Sequence, residues 1–417
     1  MASNLNALFP GFESYMDGDI EINNEVTVPE GGMSTDGGDS VDTVSDEIAA
    51  EETGTEGAEI EGEAETTEAE NEATNMIFDQ MLNMYVHVKN FGIDRTFLSL
   101  YNRNGQLNSM LGRTFPSFES LDSVGNPNSQ LSQAFIAAME DENGGMFAKI
   151  KNWVVSIIQK IYRLILNIIN WFKDKFVSTG ARITKLKSVL QGATFKDEAE
   201  LDTKAAVPDI DPLITAMSKG EFKAVNKEIS AAVDAARATA KRLKKSADDI
   251  KKLEGAGEGG YAENDDISDK TMAGIDKDVD KLKVKVDALK ETINAAKQET
   301  TVGAVFKKYG NTKSLLKVLD SAEVGYKDLA TIRGTLDQFN KDTAELYKFL
   351  KSSSEHGRHN WITRNIHGAE KTFRNFKEDA MRWQKKSTYI IEAIRVCENG
   401  WGSIVNGVGR YVSFFTK

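Results

Sequence analysis

Three of the four histidines, His356, His359 and His367, fall within twelve residues, with Glu355 beside the first and Glu370 one helical turn after the last. Imidazoles and carboxylates at such spacing are the donors of a metal cage. Two of the three, however, sit in the polar stretch SSSEHGRHN beside Arg358, whose guanidinium repels a cation, so exposed loop histidines are expected. Gly255-Ala-Gly257-Glu-Gly259-Gly260 matches the letters of a dinucleotide fingerprint. It follows a helical pattern rather than a strand and carries a glutamate where a pyrophosphate would lie, so it reads as a hairpin tip. Cys397 is the only cysteine, which excludes an intrachain disulfide and points to a buried thiol. There is no GxSxG, no HExxH and no P-loop, and no carboxylate pair stands apart from the solvated helix faces. The expectation is a protein that is not an enzyme and holds no metal and no cofactor.

The spacing does support chemistry carried out on the chain. The hexapeptide FPGFES at Phe9–Ser14 returns, one residue changed, as FPSFES at Phe115–Ser120. One reading is a docking peptide used twice, Phe and Pro filling an apolar groove in extended form. The other is a processing site, which needs an extended peptide with fixed residues around the scissile bond. Ser117-Phe118-Glu119 before Ser120, and Gly11-Phe12-Glu13 before Ser14, each supply a small residue, any residue, then glutamate. The tripeptide also occurs at Ser45-Asp46-Glu47, Gly54-Thr55-Glu56 and Gly57-Ala58-Glu59, so the doubled hexapeptide singles out the first two. Charge divides at the same place. Residues 1–119 hold 24 Asp/Glu against 4 Lys/Arg, a net −20, and the remaining 298 hold 40 against 48, a net +8. A chain that turns from acidic to basic on losing its front end reads as a precursor.

The elements that would carry these features are helical. Pro is sparse while Ala, Lys, Asp and Glu are plentiful, and no segment sustains period-two alternation. From Asp17 to Asn75 the chain is mostly Glu, Asp, Gly, Thr, Ala and Ser with no Lys or Arg before Lys89, a composition that predicts disorder. Met76, Phe78, Met81, Leu82, Tyr85 and Val86 then suit a short amphipathic helix, and a second is expected around Leu131–Met139. Three later runs keep the 3-4 spacing: Val233 to Ile250, Ile275 to Ile293, and Leu329 to Leu350. The Gly-rich stretch between the first two predicts a long antiparallel hairpin. A basic, aromatic helix from about Trp361 to Asn399 and an apolar, Gly-punctuated tail follow. The fold class is all-α: a disordered acidic segment, then an elongated multi-helix bundle. Its expected parts are 1–75 as leader, 76–119 as a small helical part of the propeptide, 120–180 as linker and apolar helix, and 181–417 as helical body.

Two surfaces invite partners. In Met146–Val177, Trp153, Ile157, Ile161, Leu164, Ile168 and Trp171 lie on one broad apolar face opposite a thin cationic stripe. That pattern suits a helix wrapped by the body, or one resting on a membrane surface. The densest basic groups are Lys241, Arg242, Lys244 and Lys245, and the series Arg374, Lys377, Arg382, Lys385 and Lys386. They suit weak, non-specific contact with DNA, or a helix whose Phe373, Phe376 and Trp383 serve only the core. The opening MASNLNALFPGFES lacks the basic and apolar regions of a secretory signal, and no run reaches about 18 apolar residues. A soluble protein of a reducing compartment is expected.

The small-x-Glu cut site, the acidic front segment and the basic helical remainder resemble the internal head proteins of jumbo tailed phages of the phiKZ type. The segment FGIDRTFLSLYN is also similar to pieces in the front parts of those virion proteins. The resemblance covers the first 120 residues in pattern and the remainder in general character. It implies a propeptide cut by a prohead protease after Glu119, with Glu13 as a second position. It also implies capsid or core proteins and packaged DNA as partners, and a place in the head interior after assembly in the host cytoplasm. An acidic propeptide would keep the basic body from binding nucleic acid early. The competing expectation is a membrane-active helical effector, and a third is an interaction protein that docks through FPxFES.

Overall fold

In the computed structural model the described residues are 43–97, 125–140, 145–255, 269–355 and 369–417. They form nine α-helices: α1 Thr43–Phe91, α2 Gln130–Glu140, α3 Met146–Gly192, α4 Asp211–Ser218, α5 Glu221–Gly255, α6 Asp269–Ala295, α7 Val302–Tyr309, α8 Thr312–Glu355 and α9 Ala369–Phe415. The all-α multi-helix bundle is as expected. The strands among the described residues are two of three residues each, β1 Ala206–Pro208 and β2 Glu299–Thr301. They pair antiparallel, Ala206 opposite Thr301 and Pro208 opposite Glu299.

The chain divides into two compact units: one holds the described residues of 1–55 and 80–149, the other those of 56–79 and 150–417. In the larger unit α5 packs against α6, α8 and α9, and α9 also packs against α6. The periodic runs explain this. Ile229, Val233, Ala236, Leu243 and Ile250 of α5 are all buried, as are Leu329, Ile332, Leu336, Phe339, Leu346 and Leu350 of α8. Small residues along α5 let its neighbours approach closely. The wide face of α3 is buried too, from Ile150 through Ile158, Ile165, Ile169 and Phe172 to Ile183 and Leu190.

Helix α9 corrects one expectation. The basic helix and the Gly-punctuated tail are a single element of 47 residues. Its glycines do not end it because two of them mark close approach. A Cβ at Gly400 would lie 2.5 Å from the Phe222 ring, and one at Gly407 would lie 2.3 Å from Ile210. The last turn is tied to the segment after α3: Lys196 N–H donates to the Phe415 carbonyl (2.7 Å) and Lys417 N–H to that of Thr194 (3.0 Å).

Helix α1 is the larger correction. Of the stretch expected to be disordered, 17–42 lies outside the described residues, but 43–75 is helical and runs unbroken into the apolar segment after Met76. The boundary expected at 75/76 falls inside α1, and the one at 180/181 inside α3. The physical reason is that burial on α1 does not depend on hydrophobes. Gly57, Glu61, Ala64, Thr67 and Asn71 are buried at intervals of three and four, and Phe78 continues the stripe. Ala and Glu favour the helix, and partners more than 300 residues away satisfy the polar members.

In the smaller unit Tyr85 meets Phe147 edge-on (5.2 Å) and donates its hydroxyl proton to Glu140, and Phe97 meets Phe135 edge-on (5.3 Å). Ile93 N–H donates to Ser132 Oγ (3.1 Å). Gly92 ends α1 at φ 77°, where the backbone of Asn126 passes so close that a Cβ would lie 2.4 Å from its carbonyl carbon. Glycine alone satisfies both conditions.

Candidate functional site

The acidic helix is seated on cations. As α1 residue numbers rise from 61 to 79, their partners on α9 fall from 395 to 374, so the two helices run antiparallel. Glu61 pairs with Arg395 and, across from α6, with Lys290 (3.3 Å). Glu68 faces Thr388 and Lys385. Asn71 Nδ2 donates to Gln384 Oε1 (3.1 Å), and Lys377 Nζ donates to Asn75. Asp79 pairs with Lys377 (3.0 Å) and Arg374 (3.3 Å).

Helix α3 lines the other side of the seat, also antiparallel to α1. Trp153 Nε1 donates to Asn71 Oδ1 (3.1 Å), and the Trp153 ring lies 5.3 Å from that of Phe78. Lys160 approaches Glu70 (3.7 Å), a solvent-screened pair of little energetic weight. Farther along, Gly57 leaves room for Trp171, whose ring would lie 2.7 Å from a Cβ there. Asn71 is thus the hinge point of the seat, its one amide bridging α3 and α9.

Burial sets the electrostatics. Lys377 is 0% exposed, and burial holds its ammonium below the usual lysine range, with Asp79 acting in the opposite sense. Burial pushes the Glu68 carboxyl up, while the Thr388 hydrogen bond and the Lys385 charge pull it down. Such a seat is costly when one partner is missing, because the charge left behind stays in a low-dielectric site. A shallow cavity of about 280 Å³ beside it is lined by Glu61, Glu65, Glu68, Glu72, Thr388, Tyr389 and Glu392.

The structure therefore disperses the residues expected to meet nucleic acid. Arg374, Lys377 and Lys385 face the acidic helix, Arg382 lies near Asp379, and Lys386 is buried. On α5, Arg242 pairs with Asp379 (2.9 Å) and Lys244 lies over the Phe349 ring (6.0 Å), while Lys241 and Lys245 are exposed. All six residues considered for a membrane surface, Trp153, Ile157, Ile161, Leu164, Ile168 and Trp171, lie in the core. No helix among the described residues is long and apolar enough to cross a membrane.

Both FPxFES copies, with Gly11, Phe12, Glu13, Ser14, Ser117, Phe118, Glu119 and Ser120, lie outside the described residues, as do His356, His359 and His367. The small-x-Glu tripeptides of the acidic segment that end at Glu47, Glu56 and Glu59 lie within α1, where the backbone is helical rather than extended. Among the described residues no group of three or more His, Cys, Asp or Glu is placed to hold a metal ion. Cys397 is fully buried and burial raises its thiol, so it is held as the protonated form.

Sequence reasoning missed Glu61, Asn71, Asp79, Lys290 and Arg395. A faint signal was present, since Glu61, Ala64, Glu68, Asn71, Asn75 and Phe78 keep the 3-4 spacing that Met81, Leu82 and Tyr85 continue. It was missed because hydropathy carries no period when the inward positions are small or polar. A second buried acid, Glu398, also went unremarked. It accepts from Thr179 Oγ1 (3.0 Å) and Tyr326 OH (3.1 Å), joining α3, α8 and α9, and burial pushes its carboxyl up to about 7. No protein-family model, no curated protein and no solved structure matches the chain.

Proposed function

We propose that the chain is the precursor of a non-enzymatic structural protein of a phage head interior, whose acidic leader a prohead protease severs from the body after Glu119. One observation carries this reading: Glu56–Asp79 lies antiparallel on α9 and holds Arg374, Lys377 and Arg395 in ion pairs. An acidic segment placed there withdraws cations that phosphate would otherwise engage, as a leader that delays nucleic-acid binding must do. The charge balance supports the same role, since the leader carries −20 and the body +8. In this reading α5 and α6 close as a long hairpin, and the body meets packaged DNA through weak, salt-sensitive phosphate contacts. Capsid or core proteins surround it, and assembly precedes cutting.

The test uses particles. Mass spectrometry of the mature head protein should find an N-terminus at Ser120, and Glu119→Gln should abolish that N-terminus. Full-length chain in mature particles, or normal maturation of Glu119→Gln, removes the proposal.

A further inference from the structure

We infer that scission leaves the leader in place: after the cut the protein persists as two non-covalent chains, with Glu56–Asp79 still on its seat. The inference rests on the proposed position of the cut, between Phe97 and Gly125, and follows from what flanks that stretch on either side. Upstream, Ile93, Phe97 and Tyr85 are buried against residues downstream of it: Ser132, Phe135, Glu140 and Phe147. The backbone crossing of Gly92 and Gly125 adds a contact too close for any side chain, since a Cβ at Gly125 would lie 2.3 Å from the Phe91 carbonyl oxygen. Breaking one peptide bond in the connecting stretch removes none of these contacts.

The larger unit holds its part of the leader separately. Glu61, Asn71 and Asp79 are matched to Arg395, Lys290, Trp153, Gln384, Lys377 and Arg374, and Phe78 is buried on Trp153. Helical backbone at Glu47, Glu56 and Glu59 withholds the cut sites that could shorten this segment. The two seats differ in kind. The one in the larger unit is ionic and weakens as salt screens its half-exposed pairs, whereas the one around Phe97 and Phe135 is apolar and does not. Retention therefore survives high salt, with the body's cations still capped at the moment of scission. DNA then meets them by competing with carboxylates, rather than finding them bare.

The test places the recognition sequence of a site-specific protease between residues 117 and 121 of the purified full-length chain, nicks it there under native conditions, then runs gel filtration at about 0.15 M and about 1 M salt. Intact-mass analysis of the peak identifies the two fragments. The expected result is co-elution at both salts and separation only in denaturant. Elution of the leader fragment apart from the body at the lower salt overturns the inference, and so does separation at the higher salt alone, which would leave only the ionic seat in action. Because no particle is involved, this outcome is independent of whether mature heads carry an N-terminus at Ser120.

Discussion

Glu61→Gln isolates the charge at the centre of the seat while keeping shape. The Glu61 side chain is 7% exposed, against 19% for Arg395 and 33% for Lys290, so the site lies between the buried and surface limits. Removing one member of a fully buried pair costs about 3–5 kcal/mol, and of an exposed pair about 0–1 kcal/mol. The amide oxygen introduced by the substitution still accepts one bond, and Lys290 keeps Glu392 as a partner. About 2 kcal/mol is therefore the expected loss, which at roughly 1.4 kcal/mol per decade is about a 30-fold rise in opening. Native-state hydrogen exchange reads that opening directly, because it resolves units that detach separately. Amides of α1 from 61 to 75 should exchange faster by that factor in Glu61→Gln, while those of α5 and α8 stay unchanged. Glu63→Gln, exposed on the same helix, should leave α1 as it was. If α1 exchange in Glu61→Gln changes by less than about twofold, or if α5 and α8 change equally, then ion pairing does not seat this helix.

Other outcomes test the rest of the framework. Asn71→Leu strands the Trp153 indole N–H, at a cost of about 1–3 kcal/mol. It should make α1 the first site of limited proteolysis, and unchanged resistance would show that the amide bridge is dispensable. Gly325→Ala places a Cβ 2.3 Å from the Trp401 ring. Overpacking of about 1–3 kcal/mol there outweighs a helix-propensity gain of up to about 1 kcal/mol, so Tm should fall, and a rise would refute the close contact. Glu398 gives a pH signature. With its folded carboxyl near 7 and an ordinary value of 4.5, the folded state binds the proton more tightly than the unfolded chain. The associated stability is full below that ordinary value and is lost as pH rises through about 7. Lys175, held low by burial, is the nearby cation that opposes the loss. Urea midpoints should drop between about pH 5 and about pH 8 and should drop less in Glu398→Gln; equal drops in both proteins would be inconsistent with this site.

The parts of the fold legible in the chain are those whose inward residues are large and apolar. The Met146–Val177 stripe reads as α3, and the runs through Val233, Leu282 and Leu336 read as α5, α6 and α8. Each buries enough hydrocarbon of its own to mark its period. Helix α9 was legible only to Asn399, because glycine in sequence is indistinguishable from a terminator until Phe222 and Ile210 are seen filling the space it leaves. The candidate site was half legible: Arg374, Lys377 and Lys385 were recognised as a cationic row, suited to DNA or to a helix whose aromatics serve only the core, with no sign of the acidic helix they meet.

What the sequence determined by itself is the helical class, the opposition of charge between the two ends and the doubled hexapeptide, because each is a property of composition or local spacing. Only the tertiary structure decided that residues 56–79 are a packed helix and that Arg374, Lys377 and Arg395 of α9 are already engaged. Glu61 and Arg395 stand 334 positions apart, and neither carries a local signal of the other. An ion pair becomes visible only when the fold brings its members into a shared low-dielectric space, where leaving either one alone costs more than joining them.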